Sequence, residues 1–314
     1  MEDPAACAGG QVRIITGRRP PDHRLPRGAP AVKTYPECIP CILRATLGGA
    51  RLAGAPDEEA WAVVAEGARI TADWDRTLPP ILLGAEIGRL LRTRVGQTDP
   101  YRGEKRAANT AALGHYARWK EEVARAPDPL FHALRLAAAG NALDLGFYAG
   151  VDPHHDVDCA LQDFARSDYG AFRDALDRSR EVLFLADNAG EIVLDRILIE
   201  ELVARGKNVT VAVRGEPTLN DATTDDAHAV GLDEVAEVIT TGSDLPGVSL
   251  PASSPQFRTR FRSAELILSK GMGNFEGLSG EQAPLYFLLQ AKCPPVAQET
   301  GVEVGRLIFL RGPG

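Results

Sequence analysis

The hydrophobic rhythm of the chain changes near its midpoint. From Cys38 to about Phe147, apolar residues recur at spacings of three and four, as in Ile42-Leu43, Leu47 and Ala50, then Ala60 to Ala72, then Ile81 to Leu91. That period predicts amphipathic helices. Asp57-Glu58-Glu59 marks a helix start and Asp99-Pro100 a start or break, and Thr110 to Ala124 and Pro129 to Ala139 extend the helical pattern. After about Asp156, short apolar runs at 181–186, 208–213, 235–239, 264–268 and 306–310 alternate with helical stretches. This alternation predicts a mostly parallel, doubly wound sheet. The helix over 191–205 stops at Arg205-Gly206, and a right-handed crossover puts strand 208–213 beside strand 181–186. The chain therefore reads as an α/β domain over 156–314 with a helical domain over 34–155 packed against it. Residues 1–33, rich in Pro, Gly, Arg and Ala without periodicity, read as a flexible extension.

Composition narrows the class. The 314 residues suffice for one large or two modest domains, and 44% apolar with 25% charged residues describe an ordinary globular protein. A net charge of −8 leaves no basic stripe for phosphate backbones, so no nucleic-acid partner is expected. Cys7, Cys38, Cys41, Cys159 and Cys293 are odd in number and scattered, unlike a secreted disulfide framework. There is no apolar signal core and no run of about 18 apolar residues. The expectation is a cytoplasmic protein without a membrane partner.

Candidate chemistry collects at the strand exits. The first strand ends on Asp187-Asn188, followed by Ala189-Gly190 and a helix. The second ends at Arg214-Gly215-Glu216-Pro217 and leads to Asn220-Asp221. A third ends near Thr240 before Gly242-Ser243-Asp244, and a fourth leads into Lys270-Gly271-Met272-Gly273-Asn274-Phe275-Glu276. In a parallel sheet these exits share one rim, where ligands of this fold class bind. Asp187, Asn188 and Asp221 offer hard oxygen ligands for Mg²⁺ or Mn²⁺. These loops hold no His except His228, which disfavours a nitrogen-rich zinc site. Lys270 and the glycine turn after it suit a phosphate, as does the helix start near Gly190. Each piece also has a plainer reading: Asp-Asn after a strand is an ordinary turn or N-cap, and so is Asn220-Asp221. Their arrival at one rim favours the functional reading.

Other polar groupings stay open. Cys38-Ile39-Pro40-Cys41 is half of a zinc site or a redox pair, or simply a buried contact between domains. His154-His155-Asp156 suits a surface turn or a metal. Asp99-Pro100-Tyr101 with Lys105 and Asn109, and Gly140-Asn141 with Asp144, suit helix caps and docking, or a wall over the rim.

Taken in order, Asp187-Asn-Ala-Gly-Glu191, Asn220-Asp-Ala-Thr223, Gly242-Ser-Asp244, Lys270-Gly-Met-Gly-Asn-Phe-Glu276 and Lys292-Cys-Pro294 resemble the damage-control phosphatases, formerly domain-of-unknown-function family 89. Cys38-x-x-Cys41, Asp99-Pro-Tyr101 and Gly140-Asn141 resemble its prokaryotic Cys-x-x-Cys subgroup. The resemblance spans about 34 to 310. It implies a helical domain on a three-layer α/β/α domain, and a metal-dependent phosphatase of damaged or surplus phosphometabolites, including sugar phosphates. It also implies a divalent metal (Mn²⁺, Mg²⁺, Co²⁺ or Ni²⁺) on Asp187, Asn188 and Asp221, with Lys270 on the phosphate. Glu191, Asn220, Gly273, Asn274 and Glu276 are carried over as substrate-site residues. Met272 departs from the pattern, where a polar residue such as Gln is expected.

Two other functions are compatible with the residues. One is an S-adenosylmethionine-dependent carboxyl methyltransferase, although Gly190 alone is a thin glycine loop and Arg214 is not the acid expected after the second strand. The other is a non-catalytic phosphometabolite-binding protein.

Overall fold

The computed structural model describes residues 32–140, 157 and 160–314. Residues 1–31 of the expected extension, the His154-His155-Asp156 and Asn141/Asp144 groupings, Cys7 and Cys159 lie outside the described residues. Six helices come first: α1 Cys38–Leu52, α2 Asp57–Ala72, α3 Pro80–Val95, α4 Arg102–Leu113, α5 Tyr116–Arg125 and α6 Pro129–Ala139. The helical run expected over Thr110 to Ala124 is thus two helices, divided at Gly114-His115. Glycine lowers helix propensity by about 1 kcal/mol, enough to place a break there.

The remaining chain builds a seven-stranded sheet of β1 Arg166–Ser167, β2 Glu181–Leu185, β3 Asn208–Val213, β4 Glu237–Thr240, β5 Leu266–Lys270, β6 Leu285–Gln290 and β7 Leu307–Arg311. Its order is β1-β7-β6-β5-β2-β3-β4, with only the β6–β7 pair antiparallel. β3 lies beside β2, as the right-handed crossover requires. β1 and β6 were not expected from the sequence pattern. β6 reads Leu-Tyr-Phe-Leu-Leu-Gln, a continuous apolar run that periodicity alone cannot tell from buried helix.

Side-chain alternation along the strands divides the interior into two cores. Val182, Phe184, Val211, Leu268 and Phe309 face one way and pack with α5, α6 and the helices Tyr169–Arg178 and Glu191–Ala204. Leu183, Leu185, Ala212, Ile267 and Phe287 face the other way, against the helices Pro255–Ser263, Met272–Leu278 and Pro294–Thr300. Strands covered on both faces become uniformly apolar, which is why they appear as unbroken runs. Helices α1–α3 form a smaller cluster of their own around Ala50, Ala60, Val63 and Leu91.

One topological fact positions the site. The chain runs outward from β2 to β3 and β4, then returns to place β5 on the other side of β2. Crossovers on opposite sides leave a crevice at the C-terminal ends of β2 and β5, the switch point where such sheets bind ligands.

Candidate active site

Asp187 and Asn188 follow β2 directly, and the loop after β3 folds back onto them. The Ala222 amide donates to the Asp187 carbonyl at 2.8 Å, and the Ala189 amide donates to the Asn220 carbonyl at 2.9 Å. This short antiparallel bridge of Asn188 with Asp221 brings the two strand exits together. Leu219, just before Asn220, has φ of 44°, the one positive φ at a non-glycine among the described residues. A leucine in the left-handed region costs roughly 1–2 kcal/mol, so the surrounding bridge holds a strained turn in place.

From the other side of β2 comes Gly271, at the end of β5 with φ of 79°. A Cβ on it would fall 1.8 Å from Asp187 Oδ2. Only glycine lets the strand exit approach the Asp187 carboxylate this closely.

The side chains form a closed polar cluster. Arg214, at the end of β3 and 1% exposed, donates through Nε to Asp221 Oδ2 at 2.6 Å and through Nη2 to Asp187 Oδ1 at 3.3 Å. Its Nη1 donates to Asn274 Oδ1 at 3.1 Å. The Asn274 amide in turn donates to the Ala186 and Lys270 carbonyls at 3.1 and 2.7 Å. Asn188 Nδ2 donates to Asp187 Oδ2 at 3.2 Å and to Glu191 Oε2 at 3.4 Å. Lys270 donates to Glu191 Oε1 and, at 2.7 Å, to Asp195 Oδ1, while Asp195 Oδ2 is buried without a hydrogen-bond partner.

Four buried carboxyls, Asp187, Glu191, Asp195 and Asp221, share two buried cations, Arg214 and Lys270, with the half-buried Lys292 also acting on Asp187. Burial carries the Asp187 carboxyl well above its ordinary range, reinforced by Glu191 and Asp221, while Arg214 and Lys292 pull it down. Burial likewise lifts Asp195 to about 7 against the pull of Lys270. Burial works to lower the Lys270 ammonium, but Asp195 and Glu191 outweigh it and raise it.

These residues fit a hard divalent cation. Two carboxylates and an amide oxygen, with a deficit of positive charge, match a metal that keeps waters and takes its remaining ligands from substrate phosphate. Among the described residues no three His, Cys, Asp or Glu side chains are gathered to hold a metal by themselves. Among the described residues Cys38 and Cys41 do not join such a group. Burial pushes Cys38 to about 11 and Cys293 to about 12, with Glu276 adding to both, so these thiols are poor nucleophiles at neutral pH.

The other expected residues are placed as follows. Lys270, expected on the phosphate, has no exposed surface, and its ammonium is held between Glu191 and Asp195. Glu191 and Asn274 are equally enclosed. Asn220 lies in the bridging loop, with its carbonyl used by Ala189. Gly273 faces the loop after β4, where a Cβ would meet the Pro246 carbonyl at 2.0 Å. Glu276 keeps part of its surface exposed, but dense surroundings push its carboxyl up to about 8. Met272 accepts the Lys292 amide through its sulfur at 3.2 Å.

The Lys105/Asn109 grouping turns out to dock α4 onto the rim. Asn109 Oδ1 accepts the Gly190 amide at 2.6 Å, and its Nδ2 donates to Asp226 Oδ1 at 3.1 Å. Asp226 Oδ2 accepts from Lys105, from the Thr223 amide and from the Thr223 hydroxyl. With both oxygens engaged, Asp226 is a clamp between α4 and the helix Thr224–Ala229.

The sequence pattern marks Arg214 only as a strand-exit residue and does not single out Asp195, the two further members of the cluster. Asp195 stands one helical turn after Glu191 inside an apolar helix, and Arg214 ends an apolar strand. A charge in such a stretch is rarely buried unpaired, and that was the available signal.

Comparisons with known proteins identify the family. The family model for the damage-control phosphatase ARMT1-like domain matches residues 34–308. An uncharacterized protein of Methanocaldococcus jannaschii is 34% identical over 293 residues, covering 90% of this chain and 96% of the relative. A damage-control phosphatase of Archaeoglobus fulgidus is 33% identical over 287 residues, covering 88% of this chain and 98% of the relative. The crystal structure of a DUF89 family protein from Pyrococcus horikoshii superposes with a TM-score of 0.82 at 29% identity, covering 89% of this chain and 99% of that one. The chain belongs to the damage-control phosphatase ARMT1-like family.

Proposed function

We propose that the protein is a phosphatase of small phosphorylated metabolites, such as sugar phosphates or damaged phosphometabolites, and that it works with a divalent cation on Asp187, Asn188 and Asp221. The observation that carries this reading is the convergence of Asp187 and Asp221 from neighbouring strand exits at the switch point, in a cluster short of positive charge. A divalent cation bound there would polarise a phosphoryl oxygen and lower the pKa of a water.

The chain's own residues do the rest. Asp187 and Asp221 supply the negative charge that retains the cation, and Asn188 offers an uncharged oxygen. Lys270 fixes Glu191 at the start of its helix, which keeps the Asn188 amide oriented. The start of the helix Glu191–Ala204 adds a positive dipole toward a bound anion.

The name of the Archaeoglobus relative supports a phosphatase. No feature of the rim favours a methyltransferase: one glycine follows β2, and β3 ends on a cation rather than an acid. The test is a panel of phosphomonoesters run separately with Mn²⁺, Co²⁺, Ni²⁺ and Mg²⁺. At least one metal should give turnover, and Asp187→Ala should lower kcat/KM by at least about 100-fold. Full metal-dependent activity in Asp187→Ala would sink the reading. Ligand binding without turnover under every metal would turn it toward a binding protein.

A further inference from the structure

Arg214 is hydrogen-bonded to the two carboxylates assigned above to the cation, yet it comes from the end of a strand and has no exposed surface into which to withdraw. We infer that Arg214 is a positioning residue that serves as the built-in counter-ion of the metal-free site and competes electrostatically with the divalent cation for Asp187 and Asp221. The inference rests on the proposed metal reading and says how that site is tuned.

Guanidinium keeps its charge at any working pH, so the ion pairs persist whenever the carboxylates are ionised. Without a metal, Arg214 supplies the buried positive charge that faces both carboxylates. Its fork also reaches Asn274, whose amide holds backbone carbonyls at the ends of β2 and β5. One side chain therefore ties three strand exits in a fixed relation. With the metal bound, that fixed positive charge lies beside a second one, and like charges at close range in a buried site repel strongly. The protein would thereby trade metal affinity for a site that stays assembled when empty.

Replacing the charge by a neutral group should therefore act oppositely on the two states. Metal-stripped Arg214→Gln should be less stable than the metal-stripped wild type, because its carboxylates lose their partner. The same variant should bind Mn²⁺ about tenfold more tightly, and Mn²⁺ should raise its Tm by more than it raises that of the wild type. A residue that merely props up the fold would weaken metal binding along with stability.

The experiment is calorimetric titration and thermal unfolding of the full chain with MnCl₂, for wild type, Arg214→Gln and Arg214→Lys. Tighter binding and a larger Tm gain in Arg214→Gln support the inference. Equal or weaker binding in a folded Arg214→Gln overturns it while leaving the metal reading intact. A wild type that responds to none of Mn²⁺, Mg²⁺, Co²⁺ and Ni²⁺ removes the metal reading, and the inference falls with it. Should Arg214→Gln not fold even with Mn²⁺, Arg214→Lys decides. Retaining the charge should keep affinity within about threefold of wild type, and a greater loss overturns the inference.

Discussion

At the scale of single residues, burial raises three carboxyls around the rim, Asp187, Asp195 and Glu276. Glu276 is the simplest case, because burial alone lifts it to about 8. A carboxyl whose folded pKa lies above its unfolded value binds more protons folded than unfolded. Its stabilising contribution is complete below the unfolded value, near 4.5, and is lost as pH rises through about 8. Glu276→Gln removes that dependence. Its stability relative to wild type should therefore climb between pH 5 and pH 9, read by denaturant unfolding at fixed salt. Parallel curves for the two proteins would show that Glu276 is not held in its neutral form.

At the scale of elements, the close approach of the β5 exit to Asp187 makes a sharper claim. Gly271→Ala would put a Cβ into the Asp187 carboxylate and would also strain a residue at φ of 79°. The expected result is loss of the metal-dependent thermal shift and of phosphatase turnover, with far-UV circular dichroism retained. An alanine variant with wild-type turnover would mean that Asp187 can move without consequence.

The sequence allowed much of this arrangement to be read. The runs at 181–186 and 208–213 and their exits Asp187-Asn188 and Asn220-Asp221 were legible because strands buried on both faces are uniformly apolar and end abruptly in polar residues. β6 was not legible, since a run such as Leu285–Gln290 suits a buried helix equally well. Nor was the enclosure of Lys270, because its partners Glu191 and Asp195 lie 79 and 75 residues away in sequence and only the fold brings them together. The switch point was equally invisible: it depends on which side of β2 the chain returns to, and no local pattern encodes that.

At the scale of the whole molecule, α3 is latched to the rim by an exposed arginine, Arg89, and a largely enclosed one, Arg92. Arg89 and Arg92 both donate to Asp244, after β4, and Arg92 also donates to the Pro217 carbonyl, after β3. Arg89 remains half exposed, with 55% of its side-chain surface open. The Arg214 and Lys270 side chains have no exposed surface, and their carboxylate partners lie beside them inside the protein. Charges in water are screened over roughly 8 Å at physiological ionic strength, whereas enclosed pairs are screened far less. Raising NaCl from 0.05 to about 0.5 M should therefore increase amide hydrogen exchange along α3 while leaving exchange at the β2 and β5 exits unchanged. Equal protection of α3 at both salt concentrations would mean that apolar packing, and not the arginines, holds the helix down. The molecule thus has two electrostatic climates, an outer one that follows the ionic strength of its medium and an inner one that monovalent salt changes far less.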